Sequence, residues 1–420
     1  MLVLISVLVS VAAIFSWIST RLLRLPNTIG SMLLTVVSSI ALVLLAPFWP
    51  GPHDLALHII RQIDFERLIL HGMLSLLLFA GASLLDLEAL MEQKLTISLL
   101  AILATVVSIV LVGGLTFYAA ALVGYPCSWV EAALFGALIS PTDPIAVLEM
   151  LQRVATPRYL KAQMAGESLF NDGVGAVIFL GLISATRGSI PTIPHLLIEI
   201  LLAAGGGIIL GTGLALPIAL LIRNVKSPLV DILLSLALAL GGYAIADHFS
   251  FSAPLETVTA ALVLRLLTER KHPDTVAHVE LNRFWNILDE IQNSIIFVLL
   301  GCGFLVISFH RQAVYLGLSE VVLVNLARIA SVAVVLMILK VAQPQQRSSA
   351  AILTWGGLRG GLSIALALSV PPEFGGGGIL TITYIVVVFS ILVQGSTMGL
   401  FLKRRLGPAR DPADLQPAVL

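Results

Sequence analysis

Long apolar runs, cut by proline, glycine or clusters of charge, follow one another along almost the whole chain. They are too long for strands and long enough for helices that cross a bilayer. The pattern predicts thirteen spans, of which the first seven are Leu2–Thr20, Ile29–Phe48, Leu68–Leu85, Leu95–Gly124, Trp129–Leu151, Met164–Thr186 and Leu196–Ile222. The remaining six are Leu229–Ala246, Pro254–Leu267, Trp285–Ile307, Ala313–Leu339, Ala350–Val370 and Gly378–Leu402. His53–Glu66 mixes apolar and charged positions and reads as a segment lying along the interface. The N-terminus lacks the basic stretch and cleavage motif of a secretory signal, so span 1 is expected to be retained. The expected fold is an all-α polytopic membrane protein, with one transmembrane domain over residues 1–402 and a short cytoplasmic tail over 403–420.

Composition agrees: 58% of residues are apolar and 11% charged, and the mean hydropathy is +1.01. A formal net charge of zero gives no reason to expect nucleic acid as a partner. Cys127 and Cys302 lie too far apart in sequence for a zinc motif, and two cysteines make no disulfide framework. No resident cofactor is expected; the partner implied is the lipid bilayer. An odd number of spans puts the termini on opposite sides, and basic residues choose the orientation. With the C-terminus cytoplasmic, 18 lysines and arginines fall at inner ends and loops. Only Arg61, Arg67, Arg187 and Arg311 fall at outer ones, and the other two lie inside spans. One miscounted span would scramble this asymmetry.

Charge inside a span is the exception that carries chemistry, because an ionised group at mid-bilayer costs at least ~2.5–3.5 kcal/mol. Asp143 in span 5, Glu167 and Asp172 in span 6, Arg328 in span 11 and Arg359 in span 12 lie far from any span end. Counted from the cytoplasmic ends, Asp143, Asp172 and Arg359 share one level about 12–14 Å deep, with Arg328 slightly deeper. The backbone marks the same level. Asp143 sits in Ser140-Pro141-Thr142-Asp143-Pro144, where two prolines should break the helix. Span 12 carries Gly356-Gly357-Leu358-Arg359-Gly360-Gly361. Spans 5 and 12 are an odd seven apart, so equivalent elements run in opposite directions. Two inverted repeats, with interrupted helices crossing near mid-membrane, are therefore expected around an ion site. Arg359 reads either as compensation for the helix ends or as part of the field along the ion path.

Span 6 supplies ligands. Ser168 and Asp172 share one helix face, and Glu167 and Asn171 occupy the neighbouring stripe. Hydroxyl, amide and carboxylate oxygens suit a hard monovalent cation in place of its water. Each residue also has a plainer reading. Asp172 reads as a buried structural acid, Asp143 as a cap on the broken helix, and Asn171 as a hydrogen bond between helices. Glu167 and Arg328 read as a structural ion pair, and Asp289 and Glu290 as a solvated rim or a pair. His71, Glu199, Asp231, Glu256 and Glu320 lie towards span ends, where snorkelling or capping is the default. Gly205-Gly206-Gly207 reads as a close-packing surface. Two rival classes use the same charges. A cation channel favours symmetric rings rather than one asymmetric pocket with a compensating arginine. An intramembrane aspartyl protease needs Gly-x-Gly-Asp, and Asp172 follows Phe170-Asn171 instead.

The runs from Ile139 to Leu148, Gly166 to Gly173, Thr354 to Gly361 and Phe284 to Glu290 resemble, in order, the motifs of the NhaP-type sodium/proton antiporters. The resemblance covers nearly the whole chain. It implies exchange of a monovalent cation (Na+, with K+ or Li+ open) for H+ at a cell membrane, the bacterial inner membrane, in the service of pH homeostasis. It makes Asp172 the carboxylate that takes either ion or proton, with Asp143, Thr142 and Ser168 as coordination partners. Asn171 stands where electroneutral members carry Asn and electrogenic ones Asp. Glu167 would pair with Arg328. A homodimer is also implied, with a core bundle that includes spans 5, 6, 11 and 12 and a separate dimer-contact bundle. Span 9 departs from the family in reading Ala253-Pro254-Leu255-Glu256-Thr257, with a carboxylate where a small pair is expected.

Overall fold

The structure is a computed structural model that describes residues 2–23, 27–61, 68, 72–143, 147–148, 151, 156–186, 193–225, 227–269, 276–305, 307, 310–339, 344–371 and 374–406. Among these residues every regular element is helical. Eight helices are long and apolar enough to cross a membrane, accompanied by the shorter apolar helices Ile29–Leu45, Leu74–Leu84 and Trp129–Ile139. Ala253–Glu269, at 17 residues, and the two pieces of span 12, Pro344–Trp355 and Gly361–Leu368, are shorter than a full crossing. The predicted interfacial segment is helical over Pro50–Arg61. Residues 62–66, His71, Pro144 and the tail from 407 lie outside the described residues.

Helix ends depart from hydropathy where a helix runs on into polar surroundings. Span 6 begins at Arg158, six residues before Met164. Span 10 begins at Val276, nine residues before Trp285. Apolar content reports the greasy part of a helix, whereas caps and prolines decide where it stops. Span 4 ends where Gly124 takes a left-handed φ of 71°, and span 5 starts on a capping box between Ser128 and Glu131.

Spans 4, 5, 6, 11, 12 and 13 pack chiefly on one another, and spans 1, 2, 3, 7, 8, 9 and 10 do the same. Lipid tails are as apolar as leucine, so helices associate through close van der Waals contact rather than hydrophobic force. Glycine provides it. Gly136 of span 5 lies on the Ile109 carbonyl and Gly113 of span 4. Gly207 and Gly211 of span 7 lie on the Ser252 and Glu256 carbonyls of span 9, and Gly206 meets the Phe251 ring, whereas Gly205 faces open space. The outward faces keep large apolar side chains such as Leu122, Leu201 and Ile209 exposed, as lipid contact requires.

Candidate functional site

The helix of span 5 stops at Ile139, and that of span 12 is interrupted between Trp355 and Gly361. The two breaks lie against each other. The Asp143 N–H donates to the Leu358 carbonyl at 2.7 Å. The Asp143 carboxylate rests on Gly360, where a methyl group would fall 1.9 Å from Oδ2, so only glycine admits this approach. The pieces Trp129–Ile139 and Gly361–Leu368 pack together, which gives the crossing of interrupted helices.

Arg359, 2% exposed, directs Nη1 onto the Ser140 carbonyl and, at 2.9 Å, the Pro141 carbonyl. These acceptors stand at the end of the Trp129–Ile139 helix, where the macrodipole concentrates negative partial charge. The Arg359 N–H donates to Ser390 Oγ at 2.9 Å. From there Ser390 donates to Gln394 Oε1 at 2.7 Å, and Gln394 to Asn325 Oδ1 at 2.7 Å. This polar chain ties spans 11, 12 and 13 together. Its members are neutral, so the search for charge passed over them; amides inside apolar runs were the available signal.

Span 6 meets the crossing from the side. Asn171 and Thr142, both buried, bond reciprocally: Asn171 Nδ2 donates to Thr142 Oγ1 at 2.8 Å, and the Thr142 N–H donates to Asn171 Oδ1 at 3.3 Å. Arg328 grips both carboxylate oxygens of Glu167 and donates to the Leu353 carbonyl at 3.0 Å. Pro141 sits on Gly175, which brings span 5 down onto span 6. Ser168 and Asp172 differ from these neighbours. The Ser168 hydroxyl is buried without a hydrogen-bond partner, and among the described residues no donor bonds the Asp172 carboxylate.

Both residues face a cavity of about 910 Å3. Spans 3 and 10 form one wall, and spans 5, 6 and 12 the other, so the cavity lies between the two groups of helices. Its deep end holds Asp143, Ser168 and Asp172, and its lining also includes Asp289, Glu290 and Asn293. Exposed Asp86 and Arg158 stand at its rim. There Arg158 bonds both Asp86 oxygens and Glu88. The bond from Arg158, ahead of the Ala89 N–H, holds the Asp86 carboxyl below its usual range against a modest opposing effect of burial.

Two of the acids assigned to span ends are buried rather than snorkelling: Glu256, in the first turn of Ala253–Glu269, and Glu320, further into its helix. Glu256 and Glu320 are fully buried. One Glu256 oxygen accepts from Thr257 and the other has no partner, while Glu320 lies beside the Thr116 hydroxyl outside hydrogen-bond geometry. Glu320 is nine residues into its helix, about 13 Å deep, beyond the reach of snorkelling. Glu199 is exposed, as a snorkelling residue should be. Among the described residues no three His, Cys, Asp or Glu side chains are gathered as for a resident metal.

Interrupted helices crossing beside buried acids, at the end of a cavity between two helix groups, define a secondary transporter. The chain belongs to the family described as "Sodium/hydrogen exchanger, transmembrane", whose profile matches residues 7–404. It is 36% identical over 413 residues to the Na(+)/H(+) antiporter NhaP of Pseudomonas aeruginosa, covering 96% of this chain and 97% of that one. It is 30% identical to the Na(+)/H(+) antiporter NhaH of Halobacillus dabanensis, with 96% of each chain covered. Its fold matches the sodium proton antiporter MjNhaP1 of Methanocaldococcus jannaschii with a TM-score of 0.75, at 20% identity over 96% of this chain and 97% of that one.

Proposed function

We propose that the chain exchanges Na+ for H+ across the bacterial inner membrane by competition of the two ions for Asp172. The observation that carries this reading is a contrast in partners. Arg328 is committed to Glu167, Arg359 to two carbonyls and Asn171 to Thr142. Ser168 Oγ is left without a protein partner, beside an acid that faces the cavity. A buried hydroxyl without a partner costs about 1–3 kcal/mol; a bound cation or its water satisfies it. In this reading Ser168 and Asp172 meet the ion, with Asp143 and Thr142 completing its oxygens. Asn171 positions Thr142, the Glu167–Arg328 pair braces spans 6 and 11, and Arg359 neutralises the broken helix ends. A single asymmetric pocket, with Arg359 on the broken helix end beside it, favours a carrier over the symmetric ring of a channel.

With one titrating carboxylate and a neutral residue at 171, the simplest exchange is one cation for one proton, without net charge. The remaining parts of the reading are thirteen crossings, an outer N-terminus, a cavity open to the cytoplasm, and a homodimer. The dimer is held by the span 1, 2, 3, 7, 8, 9 and 10 bundle, against which the other bundle moves. In proteoliposomes, Na+ added to the wild-type protein should collapse an imposed pH gradient, and correctly inserted Asp172→Asn should leave the gradient standing. Normal Na+-driven proton flux in Asp172→Asn would remove the basis of the mechanism.

A further inference from the structure

The cavity ends abruptly. Its lining reaches Asp172 on span 6, Ser363 on span 12 and Phe297 on span 10, and goes no further along any of the three. At that level the two helix bundles touch through glycine. Leu255 of span 9 lies on Gly173, the residue after Asp172, so that a methyl group there would come within 2.7 Å of Leu255 Cδ2. Ile296 of span 10 lies on Gly361, the residue after the glycine that receives Asp143, and both line the cavity, so that their contact is part of its floor. A methyl group at 361 would come within 2.4 Å of Ile296 Cγ2, with Leu300 Cδ1 at 3.9 Å. Leu255, Ile296 and Leu300 are all buried. In both places an apolar side chain of one bundle rests on bare backbone of the other, directly behind an acid of the ion site.

We infer that Leu255–Gly173 and Ile296–Gly361 are the two seals that close the ion site on the side away from the cavity mouth, the second as part of the cavity floor, and that glycine at 173 and 361 keeps this closed arrangement accessible. The inference rests on the exchanger reading, with the cavity facing the cytoplasm. Carbon atoms pack at about 3.5–4.0 Å, so a methyl group at either glycine is incompatible with the seal as it stands. An arrangement in which the bundles have slid apart leaves the same methyl group unopposed. The substitution therefore acts differentially on the two states, which is the condition for shifting a population. The two positions are not equal. Ile296 is β-branched, and its Cγ2 has no rotation of its own to yield with, whereas the Leu255 δ-methyl can turn aside. Overpacking at such sites corresponds to roughly 5–150-fold in an equilibrium between two states, with Gly361→Ala towards the upper end and Gly173→Ala towards the lower.

The test uses the full chain with Cys127→Ser, Cys302→Ser and a single Ser363→Cys at the blind end of the cavity. The protein is labelled with a membrane-impermeant thiol reagent in vesicles of each orientation. With both glycines in place, labelling should come from the cytoplasmic side. Labelling from the outer side in this baseline would refute the exchanger's orientation rather than the seals. Gly361→Ala should raise the ratio of outer to inner labelling at least fivefold, and adding Ile296→Ala should return it towards the baseline. Gly173→Ala should raise it less and be reversed by Leu255→Ala. It also carries the test if Gly361→Ala does not insert. A ratio within twofold of the baseline in an inserted, monodisperse alanine variant overturns the inference, as does a raised ratio that trimming the opposing side chain fails to lower.

Discussion

Arg328 is 4% exposed and spends its guanidinium on Glu167 and one backbone carbonyl. Removing one member of a buried ion pair leaves an uncompensated charge, at a cost of about 3–5 kcal/mol. Arg328→Ala should therefore lower the thermal midpoint of the solubilised protein, and Glu167→Gln with Arg328→Gln should recover part of the loss. Strictly additive single effects would show that the two residues do not act as a pair. Asp143→Asn should impair exchange severely but less completely than Asp172→Asn, because the proposed coordination retains Thr142 and backbone oxygens; equal abolition in flux assays would contradict that ranking. Charge at forbidden depth made Asp143, Glu167, Asp172, Arg328 and Arg359 conspicuous in the sequence. Partner assignments inside the site were less legible: helical spacing places Asn171 one stripe from Asp172, but does not give its two hydrogen bonds with Thr142. Ser390, Gln394 and Asn325 gave no electrostatic signal. Glu256 stands in the first turn of its helix, yet it and Glu320 are fully buried, because closeness to a helix end is not closeness to water.

A helix interrupted in the membrane exposes acceptors that something must satisfy, and at the end of the Trp129–Ile139 piece that group is Arg359. Arg359→Met keeps an unbranched apolar stem while removing the charge and donors, so transport should fall at least tenfold, roughly the loss of one charge-assisted bond of 1.5–3 kcal/mol. Arg359→Lys should restore part of it, since an ammonium still offers charge at that level. Unchanged initial rates in Arg359→Met would mean that the carbonyls of Ser140 and Pro141 need no cap. The breaks themselves were readable, because proline in span 5 and the glycine pairs in span 12 are local instructions. Helix ends are less legible: nothing in hydropathy says that span 10 begins nine residues earlier, in a stretch that mixes His278, Glu280, Asn282 and Arg283 with apolar positions.

At the scale of the whole molecule, the division into two helix groups was only partly legible. It depends on which glycine faces which backbone, and periodicity does not encode a partner. The rim clamp supports a prediction about pH. Asp86 has a depressed folded-state pKa, so its stabilising contribution is complete above its unfolded value near ~3.9. It is lost only as pH falls through the lower folded value. Between about pH 5 and 8 the clamp is constant, and Asp86→Asn should rescale the rate without moving the midpoint of the pH profile; a moved midpoint would place Asp86 in the proton path. The pH response should come instead from competition at Asp172. Apparent cation affinity should fall about tenfold per unit of pH below the site's own pKa and level off above it. An affinity that stays constant across the acidic limb would refute competition.

The cavity between the helix groups has an electrical consequence. At about 910 Å3 it has room for tens of waters, and a water-filled vestibule conducts. Little of the membrane voltage can drop along it. With the proposed seals closed, the field, worth about 2.3 kcal/mol per charge for each 100 mV, is compressed instead into the layer closed by Leu255–Gly173 and Ile296–Gly361. An ion arriving at Asp172 through the vestibule has then crossed almost none of the potential. Its half-saturating concentration on that side should stay the same when the voltage is clamped from zero to about 100 mV, whatever the charge carried per cycle. A steep voltage dependence of binding from the vestibule side would mean that the resistive layer lies in front of the acid rather than behind it.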